Sequence, residues 1–553
     1  MAPTADQTKF ELFHQRWETV NGDWQDRRRE YQDNYDQMMG KDIGSPKPWG
    51  AQVNSQHTHS QVMTHCAFLQ SGLIPTYPYV FAEMPEPWRE LESRAQEEYN
   101  RRLRDAGFYG FVYRWLRLAD SQKLGVAKLG FGVNGPQWSL VHPGNLMWDP
   151  SAENLRLDAE WVIEFYRTKS KATLKAERAE GVYNCSDEDW AKVIQYSDSE
   201  ITTQEQEREQ RTGTGTPSFD GDDGHISMYD MVEAGTIYTI HEPTQVVMRE
   251  IPNEQGYIYY YDLSTFLEVF NVEGYGIPDL ARDLQDEINT LRRQRIDIRS
   301  LVANPMYTLL KGSGLDPFGI VAAPGAIYSV NNREDLMPLP SPNNSDTLQS
   351  EENLLTADYD SLIGIQGQNR GEPGKAGMKA TTANLIHGNT NLRLGVTMNL
   401  IMDYPLRQFL ADYVELSTLV EMPVAITLPE WELVRERAEA GELWLVPHSE
   451  SYVGNTIEKF NLLMQLFQAI APITAPPGIA ELAKEMLSLV QIRDPEKVTQ
   501  FIQGNMLPDP VLAANQQQQP QQQQLPMPDM IEQGPPVDEM ARESSPMQQV
   551  GAP

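Results

Sequence analysis

The chain has 553 residues, of which 45 are basic and 78 acidic, so its formal net charge is −33; 40% of its residues are hydrophobic. Such self-repulsion argues against tight binding of DNA or of an anionic membrane, although it allows a surface along which DNA slides without being held. The two cysteines, Cys66 and Cys185, lie far apart without C-x-x-C spacing, so neither a disulfide framework nor a structural zinc site is expected.

The N-terminal half predicts long helices followed by antiparallel strands. Apolar residues at spacings of three or four predict helices over 8–39, 55–73 and 90–123. Alternation broken by Gly and Pro indicates strands within 125–148 and over 160–166, 226–241, 245–250 and 256–272, and a Lys-rich helix is expected over 170–180. The polar segment 197–224 is typical of a mobile loop. The chain start lacks the apolar core of a signal peptide and no apolar run approaches 18 residues, so we expect no membrane association.

A charged helix is predicted over 278–301, with Pro278 at its first position after the turn at 274–276. Its apolar stripe consists of Leu280, Leu284, Ile288, Leu291 and Ile298. Acids occupy its first half (Asp279, Asp283, Asp286, Glu287) and arginines its second half (Arg292, Arg293, Arg295, Arg299). Both halves complement the helix dipole. Two interpretations of the arginines stay open: a helix end that pairs with its own dipole or with a neighbour's acids, or contact with DNA phosphates.

The C-terminal half predicts a compact Gly/Pro-rich region over 302–342, with short strands at 306–310 and 326–330, and then a helix over 348–363. Segment 364–377 has almost no apolar residue and is expected to be an exposed loop. A long helix over 381–421 should bend most sharply at Pro405. Strands at 423–428 and 442–446, a helix at 431–440 and further helices at 456–471, 478–489 and 495–504 are expected, and the Gln/Pro-rich residues from 515 onward are predicted to be disordered.

Motifs for catalysis are weak. Segment 371–376 (GEPGKA) fails the Walker A pattern, because Asn369 and Ala376 stand where Gly and Ser or Thr are required. His57, His59, His65 and Cys66 are not spaced to share a metal ion, and a polar helix surface is the expected role of that segment. Asp149, Asp158 and Glu160 are an unremarkable trio in so acidic a chain. No enzymatic activity, cofactor or metal is therefore expected.

The order of elements from residue 274 onward resembles the portal proteins of tailed bacteriophages, the head-to-tail connectors of the capsid. GYGIPDLARDLQDEINTLRRQ (274–294) is similar to the family's G-x-G stretch and stem helix, and KATTANLIHGNTNLRL (379–394) is similar to the start of its long helix. The Pro48–Trp49 turn and HPGNLMWDPSA (142–152) resemble its N-terminal half.

The resemblance implies an α+β, mainly helical subunit. Its parts would be a wing (1–273), a stem helix (274–301), a small α/β clip (302–345), a second stem helix (346–363), a tunnel loop (364–378), a long kinked helix with a wing return (379–455), crown helices (456–510) and a disordered tail (511–553). The moderate length favours a short-tailed phage.

The resemblance also implies a function in the virion, at one capsid vertex, after synthesis in the host cytoplasm. Twelve subunits would form a ring through which double-stranded DNA is packaged and ejected. The ring would contact the packaging terminase, tail adaptor proteins, and the major capsid and scaffold proteins. An alternative is another ring-forming virion or scaffold-binding protein that never contacts DNA.

Site residues follow from the same resemblance. The DNA channel would involve Gln366, Gln368, Asn369, Arg370, Lys375 and Lys379 of the tunnel loop, together with Arg292, Arg293, Arg295 and Arg299 of the stem. The stem acids Asp279, Asp283, Asp286 and Glu287 would meet a neighbouring subunit's arginines. Docking of motor and adaptors would involve Pro305, Lys311, Asp316 and Arg333 of the clip.

Overall fold

The computed structural model describes residues 5–41, 50–74, 77–132, 135–167, 170–196, 202, 224–303, 306–311, 330, 332, 334–339, 345–365, 393–419 and 428–448. All of them belong to one compact unit, Met1–Glu458. The predicted crown helices and tail lie outside the described residues, as do the predicted strands at 326–330 and 423–428 and nearly all of the predicted loop at 197–224, except single residues at their edges.

The first helix, α1 (Ala5–Met39), packs one apolar face onto a β-sheet. Phe13, Val20 and Trp24 are buried there against sheet residues such as Ile163 and Phe165. The helix covers the whole predicted range 8–39, so the prediction is confirmed. The second helix, α2 (His57–Leu73), begins two residues later than predicted.

The predicted single helix over 90–123 is wrong, because the structure has two helices there, α3 (Arg89–Asp105) and α4 (Phe108–Gln122). Gly107 between them has a φ of +75°, a left-handed conformation that glycine adopts at little cost and that ends α3. The break turns the chain so that both helices bury aromatic residues in the largest hydrophobic core, including Tyr99, Phe108 and Trp115.

The middle of the chain forms antiparallel sheets, as predicted, but there are two of them and two strand bounds were wrong: the run over 226–241 is a pair of strands, and only 260–263 of the run over 256–272 is a strand. The three-stranded sheet has the order β3 (Gly135–Val141), β2 (Gly125–Gly132), β9 (Tyr260–Leu263). The five-stranded sheet follows chain order, with β4 (Leu146–Trp148), β5 (Trp161–Arg167), β6 (Ser227–Glu233), β7 (Thr236–His241) and β8 (Val246–Pro252). Helix α5 (Lys171–Ala179) agrees with the prediction, whereas α6 (Asp187–Gln195) was missed.

Two further strand pairs join distant parts of the chain. Strand β1 (Val80–Glu83) pairs with β12 (Trp444–Pro447), and the short β10 (Tyr307–Leu309) pairs with β11 (Leu336–Pro338). No strand was predicted at β1, because four residues between prolines carry too little local pattern. Its partner β12 supplies the backbone hydrogen bonds that make it a strand.

The C-terminal part of the described unit is helical. After α7 (Ile277–Ala303) and α8 (Ser345–Ile363), residues 393–401 form a helix that passes through a wide turn at Met402–Leu406 into α9 (Arg407–Thr418). Helix α10 (Leu428–Glu439) follows. Inside the wide turn, Tyr404 has extended backbone angles next to Pro405, so the predicted sharp bend at Pro405 is confirmed. Helices and antiparallel sheets together make the described unit a mixed α and β structure, as expected.

The bend is held by side chains from the sheets. The Tyr404 hydroxyl donates a 2.6 Å hydrogen bond to Asp262 at the end of β9, and the Leu155 amide donates to the same carboxylate oxygen. About two turns further, Asp412 of α9 pairs with Arg156 (Nε to Oδ2, 2.8 Å) and accepts a hydrogen bond from Tyr261. Buried polar groups are thus paired, and they fix where the bent helix crosses the three-stranded sheet.

Candidate nucleic-acid interface: the α7–α8 hairpin

Helices α7 and α8 pack side by side as an antiparallel hairpin and contain all the charged stem residues singled out in the sequence. The hairpin begins at the Gly274–Tyr275–Gly276 turn. Asp279 accepts a hydrogen bond from the Gly276 amide (3.1 Å), which satisfies a free amide of the first helical turn. The helix starts at Ile277, so Pro278 is its second residue rather than its first, and at either place it removes no helical hydrogen bond.

One face of α7 is apolar and supports the hairpin. Ile277, Ala281 and Ile288 are buried against Tyr359 and Ile363 of α8, and residues of α1 and α2 join the same core. The predicted stripe is only partly correct. Ile288 is buried, and Leu280 and Leu284 pack partly against this core, but Leu291 and Ile298 are not part of it. The buried face is therefore centred on Ile277, Ala281 and Ile288 rather than on the whole predicted stripe.

Asp279 already has partners within its own subunit. Its carboxylate lies 3.6 Å from Lys123 Nζ and accepts a hydrogen bond from Asn34 (2.9 Å). Burial raises the pKa of Asp279 above its usual value, and the Lys123 ammonium partly opposes that rise. Its contact with a neighbouring subunit stays a prediction, and the contacts within the subunit tie the start of α7 to α1 and to the end of α4.

The arginines of α7 turn toward α8 and toward the chain before α2. Arg295 is buried, and its Nη2 lies 2.8 Å from Oε2 of Glu352 on α8. Arg292 approaches the same carboxylate at 3.6 Å. Glu352 was not singled out in the sequence; its only signal is that it lies on the face that α8 buries, between Gln349 and Thr356 at helical spacing.

A polar stripe on α7 binds the segment 51–56, which leads into α2, and the first turn of α2 itself. The stripe residues are spaced four apart, so they form one row along the helix, and the sequence offers only this spacing as a signal. Three side chains of the row accept hydrogen bonds from backbone amides: Asp297 from Ala51 (2.7 Å), Asn289 from Ser55 (2.8 Å) and Gln285 from Thr58 (3.1 Å). Arg293 of the row donates to the Val53 carbonyl (3.3 Å) and to the Asn54 side chain.

The exposed surface of the hairpin is acidic. Among the described residues of α7 and α8, the exposed acids are Asp283, Asp286, Glu287, Asp346, Glu351 and Asp358. Among the described arginines of α7, Arg299 is the one classed as exposed, and no ion pair joins it to another described residue. Predicted DNA contact by the stem arginines stays a prediction; for Arg295 it would require breaking a buried ion pair.

The remaining predicted site residues are mostly beyond the described ranges. Gln366, Gln368, Asn369, Arg370, Lys375 and Lys379 of the loop lie outside them, as do Pro305, Asp316 and Arg333 of the clip. Lys311 is described and is exposed just after β10. Its strand is held to β11 by backbone hydrogen bonds such as Leu339 N to Met306 O (2.7 Å).

The histidine-rich part of α2 is not the polar surface that was expected. His65 and Cys66 are buried, and both contact Asp120 of α4: His65 Nδ1 lies 2.8 Å from Oδ2, and Cys66 Sγ lies 3.0 Å from the same oxygen. Burial raises the pKa of the Cys66 thiol, and the neighbouring Asp120 adds to the effect. His57 instead contacts Asp360 of α8 (3.1 Å). His57 and His65 therefore help to join helices, and they were misjudged because their partners lie on other helices.

The comparison with known families defines the class of this protein as a phage portal protein. The family model described as the phage SU10 portal protein matches residues 99–396, more than half of the 553-residue chain, and the match includes the whole α7–α8 hairpin. No curated protein matches the chain. The chain belongs to the phage SU10 portal protein family and is a structural component of the virion. Within the described residues, no helix is both long and apolar enough to cross a bilayer.

Proposed function

We propose that this chain is the subunit of a twelve-membered ring at one capsid vertex, and that its α7–α8 hairpin contributes to an axial channel for double-stranded DNA. Membership of the portal family supports the assembly. The observation that carries the channel is the distribution of charge on the hairpin. Arg292, Arg293 and Arg295 bind groups of their own subunit, while six acids are exposed.

This distribution suits a surface that DNA crosses in both directions. Each cation that neutralises a phosphate releases counterions and so strengthens binding, and a ring multiplies that contribution by its number of subunits. An acidic wall prevents such retention and leaves only the short-range contacts needed to guide the duplex. The loop residues Arg370 and Lys375 would supply those contacts, without regard to sequence, through phosphates.

Neighbouring subunits would meet in a head-to-tail, closing interface. Asp283 and Glu287 are exposed near the start of α7 and Arg299 is exposed near its end, so acids of one subunit face a cation of the next in this arrangement. The clip (302–345) would dock the packaging terminase and later the tail adaptors, and the wing (1–273) would face the capsid and scaffold proteins. A short-tailed phage stays the predicted source.

Electron microscopy of the purified chain, with class averages viewed along the particle axis, tests the assembly. We expect twelve-lobed rings with a central hole that admits a DNA duplex. Rings without such a hole would favour the alternative of a virion or scaffold-binding component that never contacts DNA. A monodisperse monomer under all assembly conditions would refute the proposal.

Charge reversal on the hairpin tests the channel. The double variant Glu351→Lys, Asp358→Lys, at exposed positions of α8 that are not assigned to the subunit interface, should bind duplex DNA more tightly than the native ring. Its salt dependence should steepen by about 0.9 per phosphate newly contacted. The matched control is Glu153→Lys, Glu160→Lys, which changes the net charge equally at exposed positions outside the hairpin. Filter binding across a salt series measures both. Equal DNA affinity for the two variants would mean that the hairpin does not face the duplex.

A further inference from the structure

An apolar tip protrudes between β9 and α7, and the fold of the subunit does not account for it. The loop spans residues 264–276. At its tip the side chains of Leu267, Val269 and Phe270 are 57%, 73% and 81% exposed. Three large apolar residues so close in sequence and so exposed mark an interaction site more often than an ordinary surface.

The loop is rigidly built at its base. Phe266 and Tyr275 form an antiparallel bridge, with the Tyr275 amide donating to the Phe266 carbonyl (2.8 Å). At Gly274 a Cβ atom would lie 2.1 Å from that carbonyl oxygen, so the close approach excludes any side chain. The Phe266 ring stacks on the buried His65 (centroids 5.4 Å apart), and Ser264 donates to the Lys123 carbonyl. These contacts fix the base of the loop, from which the tip projects.

The backbone at the tip is strained. Phe270 has a φ of +65°, in the left-handed region that costs free energy for any residue with a Cβ atom. Glycine or asparagine would relieve the strain and remove an exposed aromatic ring at once. A subunit acting alone gains nothing from phenylalanine here, so the benefit must come from a contact outside the subunit.

We propose that this tip inserts into an apolar recess of the next copy of the chain in the ring, an inference that rests on the proposed assembly. The size of the tip supports a second copy as the occupant. Three side chains bury at most a few hundred Å², on the order of a quarter of a standard interface of about 1,600 Å². So small a contact does not hold a separate partner, but it suits one element of a larger interface repeated around a ring.

Charge and position support the same occupant. Glu268 lies within the tip and accepts a hydrogen bond from the Tyr275 hydroxyl, and an acid at this point disfavours DNA or an anionic lipid surface. The loop leads directly into α7, whose exposed Asp283 and Glu287 are proposed to face the neighbouring subunit. The tip and these acids thus lie at one end of the same helix.

The variant Phe270→Gly tests the tip without endangering the fold, because glycine accepts the left-handed backbone better than phenylalanine. We expect the subunit concentration needed for half-assembly, measured by mass photometry, to rise about tenfold or more, as for removal of an aromatic anchor at an interface. Thermal unfolding of dissociated subunits should be unchanged or slightly improved. The control Leu157→Ser removes a similarly exposed apolar side chain (56%) elsewhere and should leave assembly unchanged.

A photo-cross-linking phenylalanine analogue at position 270 of the full chain gives a second, independent result. Adducts of two subunits support the proposal. Adducts within one subunit, or unaltered assembly of Phe270→Gly, overturn it even if the native chain forms rings. If the native chain forms no rings but still yields two-subunit adducts, the twelve-membered assembly is refuted while the proposed contact between copies is supported.

Discussion

The buried ion pair between Arg295 and Glu352 should be the main electrostatic tie of the α7–α8 hairpin, and Glu352→Gln tests this. Each side chain is only 10% exposed, so water cannot replace the lost partner. Removing one member of a buried pair typically costs about 3–5 kcal/mol, because a charge is left buried and uncompensated. Arg292 also contacts this carboxylate, but its side chain is 41% exposed, so its contact adds little to stability. Glutamine keeps an acceptor oxygen, so we expect the variant to lose about 3 kcal/mol of folding stability, the lower end of that range.

A loss of that size should lower Tm by roughly 6 °C, since about 1 kcal/mol corresponds to roughly 2 °C in large domains. Circular dichroism of the dissociated subunit measures it. The control Asp26→Asn breaks the exposed pair with Arg29, whose side chains are 71% and 78% exposed, and should cost less than about 0.5 kcal/mol. The double variant Arg295→Met, Glu352→Leu should recover most of the loss, because it leaves no buried charge. If Glu352→Gln lowers Tm no more than the control does, the pair does not hold the hairpin together.

Two further predictions concern the bend and the loop. Burial raises the pKa of Asp262 to about 6, and hydrogen bonds from Tyr404 and Leu155 only partly offset that rise. Because the folded pKa exceeds the unfolded value of about 3.9, stability falls as pH rises from about 4 to about 6, and the charged form costs about 3 kcal/mol above that range. Asp262→Asn should therefore resist urea better than the native chain at pH 8 and equally at pH 4; a difference independent of pH would contradict this. The double variant Arg370→Ala, Lys375→Ala should assemble rings normally but package or retain less DNA, and normal titre with full genome content would exclude the loop as a DNA contact.

Helices with strong apolar periodicity were predictable from the sequence. An apolar stripe such as Phe13, Val20 and Trp24 is stabilised by burial against another surface, and α1 packs this stripe onto the five-stranded sheet. The same reasoning located α7 and α8, and Pro405 located the bend. The interruption at Gly107 was missed because a single glycine inside a periodic segment is compatible with a continuous helix as well as with a break.

Pairings between distant segments were not predictable. Val80–Glu83 is a strand because Trp444–Pro447 lies beside it, and nothing within four residues encodes that partner. His65 and Cys66 looked like helix surface, since the carboxylate of Asp120 that they contact is on another helix. Such contacts depend on how elements pack, which local patterns do not specify.

The sequence by itself determined the membership of the chain in a portal family, its acidic charge and the order of acids before arginines along α7. These properties depend on composition and on neighbours along the chain. The tertiary structure decided which of those charges remain at the surface. Arg292 and Arg295 turn to Glu352, and Arg293 turns to Val53 and Asn54. Arg295 is the buried one, and a buried arginine requires a charged partner at the same depth. That partner is supplied only when the second helix of the hairpin and the segment before α2 pack against α7.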